Sequence, residues 1–347
     1  MKIATFIDPN SKQDRIGFIH GSKVVDLTIA YSSLLANKGE SNPYSSAESL
    51  IPPSMLNMLR GGERSIDAVK NTINYMSEIV EKNEAIAGPQ GEAMIYDLDS
   101  IKIKAPVPRP GKIIHTAGNF MEHAREGSAS GWAFAMPHWI SFLKCPSTII
   151  GTEEPIVYPR LTKKLDHEIE LGIIIGTGGR YISEDKAWDH IAGFTIFVDV
   201  TARDIQSTEM KNGLLNLGKN LDTFAPFGPC MVLRDSIGDI HNLKIELRVN
   251  GDPRQVSNTN HLSVKINEIV SHWSVMSLEP GDIITSGTVA GVAAFRQPDP
   301  TPYWLKPGDI IESEIENIGI LRNPVVEDKL TDEQESWLKK REGLFAQ

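Results

Sequence analysis

"LDHEIELGIIIG", residues 165–176, sets Asp166, Glu168 and Glu170 at every second position and then runs into an uninterrupted apolar stretch. In an extended chain alternate side chains share a face, and Cα atoms two apart are roughly 6.6 Å from each other, so two such carboxylates can converge on one ion. The apolar run that follows reads as a strand buried within a sheet. Like charges on the shared face of such a strand, Asp166 included, are costly unless a cation or a strong set of donors neutralises them. The plain alternative is a solvent-facing strand carrying ordinary surface acids.

A second segment bears on that choice. "GFTIFVDVTARDIQ", residues 193–206, is another apolar run of strand character; it reaches Asp199 and is followed by Arg203, Asp204 and Gln206. Together Glu168, Glu170 and Asp199 make an oxygen-only, partly open donor set that suits Mg²⁺, Mn²⁺ or Ca²⁺ rather than zinc. Water and substrate oxygens would fill the remaining positions. "IIIGTGGRYIS" (173–183) imitates a dinucleotide-binding fingerprint, but the third glycine of G-x-G-x-x-G falls at Tyr181.

The rest of the chain narrows the class of partner. With 35 Lys and Arg against 45 Asp and Glu, a formal net charge of −10 argues against nucleic acid or an anionic membrane surface and for small molecules or metals. Cys145 and Cys230 stand far apart without metal-site spacing, so neither a disulfide framework nor a thiolate zinc site is readable, and a reducing cytoplasm is expected. The opening "MKIATFIDPNSKQDRIGF" turns polar after a few residues, and no segment approaches the roughly 18 apolar residues of a membrane span, so neither export nor anchoring is expected.

Residues 1–104 read as a small α+β unit. "KIATFI" and "RIGFIHGSKVVDL" are short strands with a turn at His20-Gly21, and in "SIDAVKNTINYMSEIVEKN" the apolar Ile66, Val69, Ile73, Met76 and Val80 recur at helical spacing. "KAPVPRPGK" (104–112) is a Pro-rich connector. Over 105–328, short β-branched runs alternate with turn residues and helical interludes are few ("EDKAWDHI", "VKINEIVSHWSVM"), so the expected class is α+β, predominantly β, with a mixed sandwich or roll. "LEPGDIITSG" (278–287) and "LKPGDIIESE" (305–314) echo one another. Residues 329–347 form a tail whose Thr331 and Gln334, in capping-box spacing, predict a short helix.

Seven ordered blocks carry a wider likeness: "NFMEHARE" (119–126), "FLKCPSTIIG" (142–151), the two acidic segments, "GKNLDTFAPFGP" (218–229), "LEPGDIITSGTVAG" and "LKPGDIIESEIENIG". On these, the chain from about 100 to 326 resembles the fumarylacetoacetate hydrolase family, whose members cleave, decarboxylate, isomerise or hydrate 2-oxo acids. The resemblance implies a mixed β-sandwich roll, commonly a homodimer, with Glu168, Glu170 and Asp199 holding Mg²⁺ or Mn²⁺. It implies a His123–Glu126 pair and Lys219 in catalysis, with Arg203, Gln206 and Thr288 facing a small 2-oxo acid. His167, Thr201 and Val289 depart from commoner family residues without removing a proposed ligand.

The leading expectation is hydrolysis of a C–C bond in a 2,4-dioxo acid of acylpyruvate or fumarylacetoacetate type through a metal-stabilised enolate. Decarboxylation, isomerisation or hydration on the same site is the enzymatic alternative, and a catalytically silent metal- or ligand-binding homologue is the non-enzymatic one. His123 is suited to deprotonate water, and Glu126, three residues on along one helical face, to orient it. "GSASGWAFAMPHWIS" (127–141), with Trp132, Phe134 and Trp139, is expected to close over substrate as a lid.

Overall fold

The computed structural model describes residues 1–82, 86–129 and 139–340. The strand Ile169–Ile175 is buried along its whole length, lying between Ile191–Val198 and Ile283–Thr288, antiparallel to both, inside a twelve-stranded sheet. Its alternation explains the quoted stretch. Ile169, Leu171, Ile173 and Ile175 pack on one side into a core shared with Ile245, Leu247, Ile311 and Leu321 of a second, five-stranded sheet. Ile174, on the opposite face with Glu170 and Gly172, joins a different core with Val69, Ile73, Met76, Phe197 and Phe227. The molecule is thus layered as helices, large sheet, small sheet, which is the mixed α+β arrangement with two packed sheets.

The large sheet continues into the first hundred residues. Lys2–Ile7 pairs antiparallel with Ala225–Leu233, placing Ile3 opposite Met231, and Asp14–His20, Lys23–Asp26 and Ile95–Asp97 extend the sheet outward. The helix expected from the 66–80 periodicity runs Gly62–Glu81. Three further helices, Leu27–Asn37, Pro43–Leu50 and Met55–Arg60, were not apparent from periodicity. The first starts where the Asp26 side chain accepts from the Ile29 amide, an N-cap that converts the end of a strand directly into a helix.

Two helices position the site. Met121–Ala129 follows the strand Ile113–Thr116, and Arg203–Lys211 follows the two-residue strand Thr201–Ala202, which pairs with Leu165–Asp166. Of the two anticipated helical interludes, "VKINEIVSHWSVM" contains the helix Ile266–Trp273, whereas "EDKAWDHI" makes only a 3₁₀ turn, Ala187–His190. The tail helix forms at Asp332–Lys339, with Thr331 and Gln334 capping reciprocally. Among the described residues no helix is long and apolar enough to cross a membrane.

Candidate active site

A cavity of about 400 Å³ opens where these elements meet, and it is lined by His123, Glu168, Glu170, Asp199, Arg203, Gln206, Lys219 and Thr288 together with Phe142, Leu214 and Phe295. Of the residues assigned to metal, catalysis or substrate, all line it except Glu126, which stands behind His123. Asp166 is the exception to the alternation argument. Its carboxylate faces away, accepting from Arg203 Nε (2.7 Å) and from the amides of Ala293 and Ala294 (2.8 and 3.0 Å). The chain breaks its extended run at His167 and Glu168, between the two strands, so the face is not shared through residue 166.

The floor is an ionic lattice. Glu168 pairs with the Arg203 guanidinium through one oxygen and with Lys219 Nζ (2.8 Å) through the other. Asp199 pairs with Lys219 Nζ (2.5 Å) and with Lys144, whose Nζ also donates to the Val200 carbonyl at 3.2 Å. All five of these side chains are buried. Burial disfavours the Asp199 carboxylate, yet Lys144 and Lys219 overcome it and hold its pKa well below the usual range. Lys144 and Lys219 move in opposite directions. Burial depresses Lys144, with Asp199 opposing it and the like charge of Lys219 adding to the fall. Burial also works against Lys219, but Asp199 and Glu168 together raise it.

Lys219 reaches this floor from the turn Leu217–Lys219, where a Cβ on Gly218 would come within 2.8 Å of the Gln206 amide nitrogen. Only glycine permits that approach. Gln206 accepts from Arg203 Nη1 at 3.0 Å, so the substrate-facing pair on this helix is pre-ordered. The Thr288 hydroxyl is engaged, donating to the Ile169 carbonyl (3.0 Å) and accepting from Gln255 Nε2 (2.9 Å).

His123 lies on the wall, largely buried, with Nδ1 3.4 Å from Glu126 Oε2 and its ring 5.4 Å from that of Phe295. Both oxygens of Glu126 accept from the Gly291 amide at 3.1 Å, which fixes the carboxylate behind the imidazole. Gly291 has φ +104°, and a Cβ there would meet the Arg254 carbonyl oxygen at 2.2 Å, so this anchor also requires glycine. Of the expected lid, Trp132 and Phe134 lie outside the described residues. Trp139 stacks on His272 at 3.7 Å and meets Trp273 edge-on at 5.8 Å.

Glu170 tests whether the donor set fits a cation. Asp166, Glu168 and Asp199 are matched by Arg203, Lys219 and Lys144, whereas Glu170, equally buried, has among the described residues no Lys or Arg within ion-pair distance. It has only the Gly287 amide and the His115 imidazole, each at 3.3 Å. A buried carboxylate so weakly neutralised, beside two others in a cavity, is a fitting place for a divalent ion. Sequence reasoning passed over two residues here. Lys144 lies within the block "FLKCP", without a role, and His115 drew no attention; the signal for both was a polar side chain in the last two positions of a short strand with apolar residues before it.

Known proteins bear on this arrangement. Residues 112–326 match the family model described as fumarylacetoacetate (FAA) hydrolase, C-terminal. A mitochondrial oxaloacetate tautomerase of Bos taurus is 37% identical over 280 residues, 80% of this chain and 82% of the relative. One from Xenopus laevis is 34% identical over 329 residues, 94% and 90% respectively. Among solved structures, a fumarylacetoacetate hydrolase from Exiguobacterium antarcticum superposes with TM-score 0.69 at 30% identity, covering 94% of this chain and 100% of that one. Maleylpyruvate hydrolase from Sphingobium sp. SYK-6, in complex with manganese(II) and pyruvate, gives 0.68 at 26%, covering 95% and 100%. Ordered blocks, layered sheets, a carboxylate-floored cavity and a match over most of the chain converge, and the protein belongs to the fumarylacetoacetate hydrolase family of enzymes.

Proposed function

We propose that the protein is a divalent-metal-dependent hydrolase that cleaves a C–C bond in a 2,4-dioxo acid of acylpyruvate type. The observation that carries this is the His123–Glu126–Gly291 chain set against the Glu168, Glu170 and Asp199 carboxylates in one cavity. Mg²⁺ or Mn²⁺, when bound by those carboxylates, supplies Lewis-acid stabilisation of the enolate that leaves when the bond breaks. A manganese and pyruvate complex of a 26% identical hydrolase supports that choice.

The chain's own groups do the rest. His123 takes the proton of the attacking water, and Glu126, held by the Gly291 amide, orients the ring and stabilises its cation. Arg203 and Gln206 bind the substrate carboxylate from the helix they share. The Lys219 ammonium, raised in pKa by its two acids, remains charged and stabilises the oxyanion at the attacked carbonyl. Phe142, Leu214 and Phe295 exclude water from the reacting atoms. Two free thiols, Cys145 and Cys230, support a reducing, cytoplasmic setting, and the family resemblance supports a homodimer.

A second reading, keto–enol tautomerisation of oxaloacetate, is favoured by relatives of that name at 34% and 37% identity. It needs the same floor and one proton carrier, and no attacking water. The deciding experiment follows products from an acylpyruvate and from oxaloacetate with Mg²⁺ or Mn²⁺, with and without chelator. Pyruvate plus a carboxylate fragment, lost on chelation, supports hydrolysis; enol–keto interconversion without cleavage supports the second reading, and carbon dioxide alone rejects both.

A further inference from the structure

The imidazole of His115 stands among the acids without a part in the chemistry above. It is the third residue of the strand Ile113–Thr116, in register with Thr285 on one side and Phe142 on the other, so the sheet itself delivers it to the floor. Its side chain is 1% exposed. Phe142 stacks on the ring at 4.6 Å and Phe197 meets it edge-on at 5.0 Å, which leaves the ring plane little freedom.

Nδ1 is the nitrogen turned toward the acids, 3.3 Å from Glu170 Oε2 and 3.8 Å from Asp199 Oδ2, with Thr285 Oγ1 at 3.0 Å. Nε2 has no hydrogen-bond partner among the described residues, so the polar contacts of the ring all lie on the acid side. One donor atom each from His115, Glu170 and Asp199 falls within 4.8 Å of the other two. Neighbouring donors around one six-coordinate ion with bonds of about 2.1–2.5 Å are separated by about 3.0–3.5 Å; the His115–Glu170 spacing of 3.3 Å falls in that range and the His115–Asp199 spacing of 3.8 Å lies just above it. Glu168 and Asp199 each have both oxygens paired with cationic side chains, Arg203 and Lys219 in one case and Lys144 and Lys219 in the other, so Glu170 and His115 are the members of the cluster that no Lys or Arg among the described residues engages.

We propose that His115 supplies an imidazole nitrogen to the divalent-ion site beside Glu170 and Asp199, and that this donor tilts the site toward Mn²⁺ and away from Mg²⁺. The inference rests on the metal reading above and deepens it. An all-oxygen shell suits Mg²⁺ and Ca²⁺, whereas an imidazole in the shell favours the transition metals over both. The acid trio alone carries no such preference.

The test is spectroscopic and needs no turnover. Mn²⁺ is bound to the metal-stripped protein and its echo-envelope modulation is recorded with ¹⁴N- and with ¹⁵N-labelled histidine, alongside His115→Asn and His123→Gln. Expected are a nitrogen coupling that follows the histidine isotope, persists in His123→Gln and vanishes in His115→Asn, and a Mn²⁺ over Mg²⁺ selectivity about tenfold or more lower in His115→Asn, measured by competition. Should His115→Asn not fold, the isotope-labelled wild type and His123→Gln still decide. Bound Mn²⁺ without histidine-nitrogen coupling, or a coupling lost in His123→Gln, overturns this inference and leaves the metal reading standing; failure of Mn²⁺ to bind at all overturns both.

Discussion

Two stretches of this molecule carry acids at every second position and meet opposite fates. In "HEIE", Glu168 stands just before and Glu170 at the start of a strand in the middle of the large sheet, and the Glu170 side chain is 4% exposed. In "IIESEI", the strand Ile310–Ile315 turns Ile311, Ser313 and Ile315 inward and leaves Glu312 and Glu314 outside, the latter 43% exposed. There Arg248, across the sheet from both, pairs with Glu314 at 2.9 Å and lies 3.7 Å from Glu312. The same spacing yields a solvated charge ladder in one place and a buried, cation-seeking cluster in the other. What differs is whether the acid-bearing face is covered, and coverage is a property of the layers above the strand.

The comparison can be broken most directly by neutralising one acid in each cluster. Glu170→Gln is expected to lower kcat/KM by about three orders of magnitude or more, the loss of several kcal/mol of transition-state stabilisation. Glu314→Gln should leave it within about twofold, the scale of a surface ion pair. Steady-state kinetics under saturating Mn²⁺ measure both, and equal losses would mean that the buried cluster has no special role.

A smaller effect is expected at the acid that turned away. Asp166→Asn strands the Arg203 guanidinium beside Glu168 alone and should cost about 3 kcal/mol in denaturant unfolding, as breaking a buried pair does. A loss under 1 kcal/mol would show that the Ala293 and Ala294 amides, not the ion pair, justify that carboxylate. Glu126→Gln should reduce kcat by about a hundredfold while Mn²⁺ affinity, read by calorimetry, stays unchanged. A joint loss of both would make Glu126 part of the ion site instead. Least of all, Arg248→Met should change stability by less than about 1 kcal/mol, and that small change should shrink further in 0.5 M salt, where the Debye length falls to about 4 Å.

Much of the site could be read from local pattern because its parts are local. Glu168 and Glu170 stand at the start of an apolar run and Asp199 at the end of another, and His123 and Glu126 share a helix, so spacing and chain order revealed them. Asp166 obeyed the same spacing and was misjudged, since two short ladders meet at His167 and the alternation does not run through. The helices Leu27–Asn37 and Pro43–Leu50 escaped notice because their polar and apolar residues are poorly segregated; their positions come from packing against the sheet rather than from a strong stripe.

By itself the sequence determined the strands, the acids at their ends and starts, the His-Glu helix and the family, because these rest on alternation, helical spacing and block order along the chain. Tertiary structure alone decided which acids are buried, that Lys144, Lys219 and Arg203 neutralise three of them, and that His115 stands beside the fourth, Glu170. The reason is physical: the charge balance of a buried cluster is set by residues brought together from separate strands, a helix and a turn, and no window along the chain contains the sum.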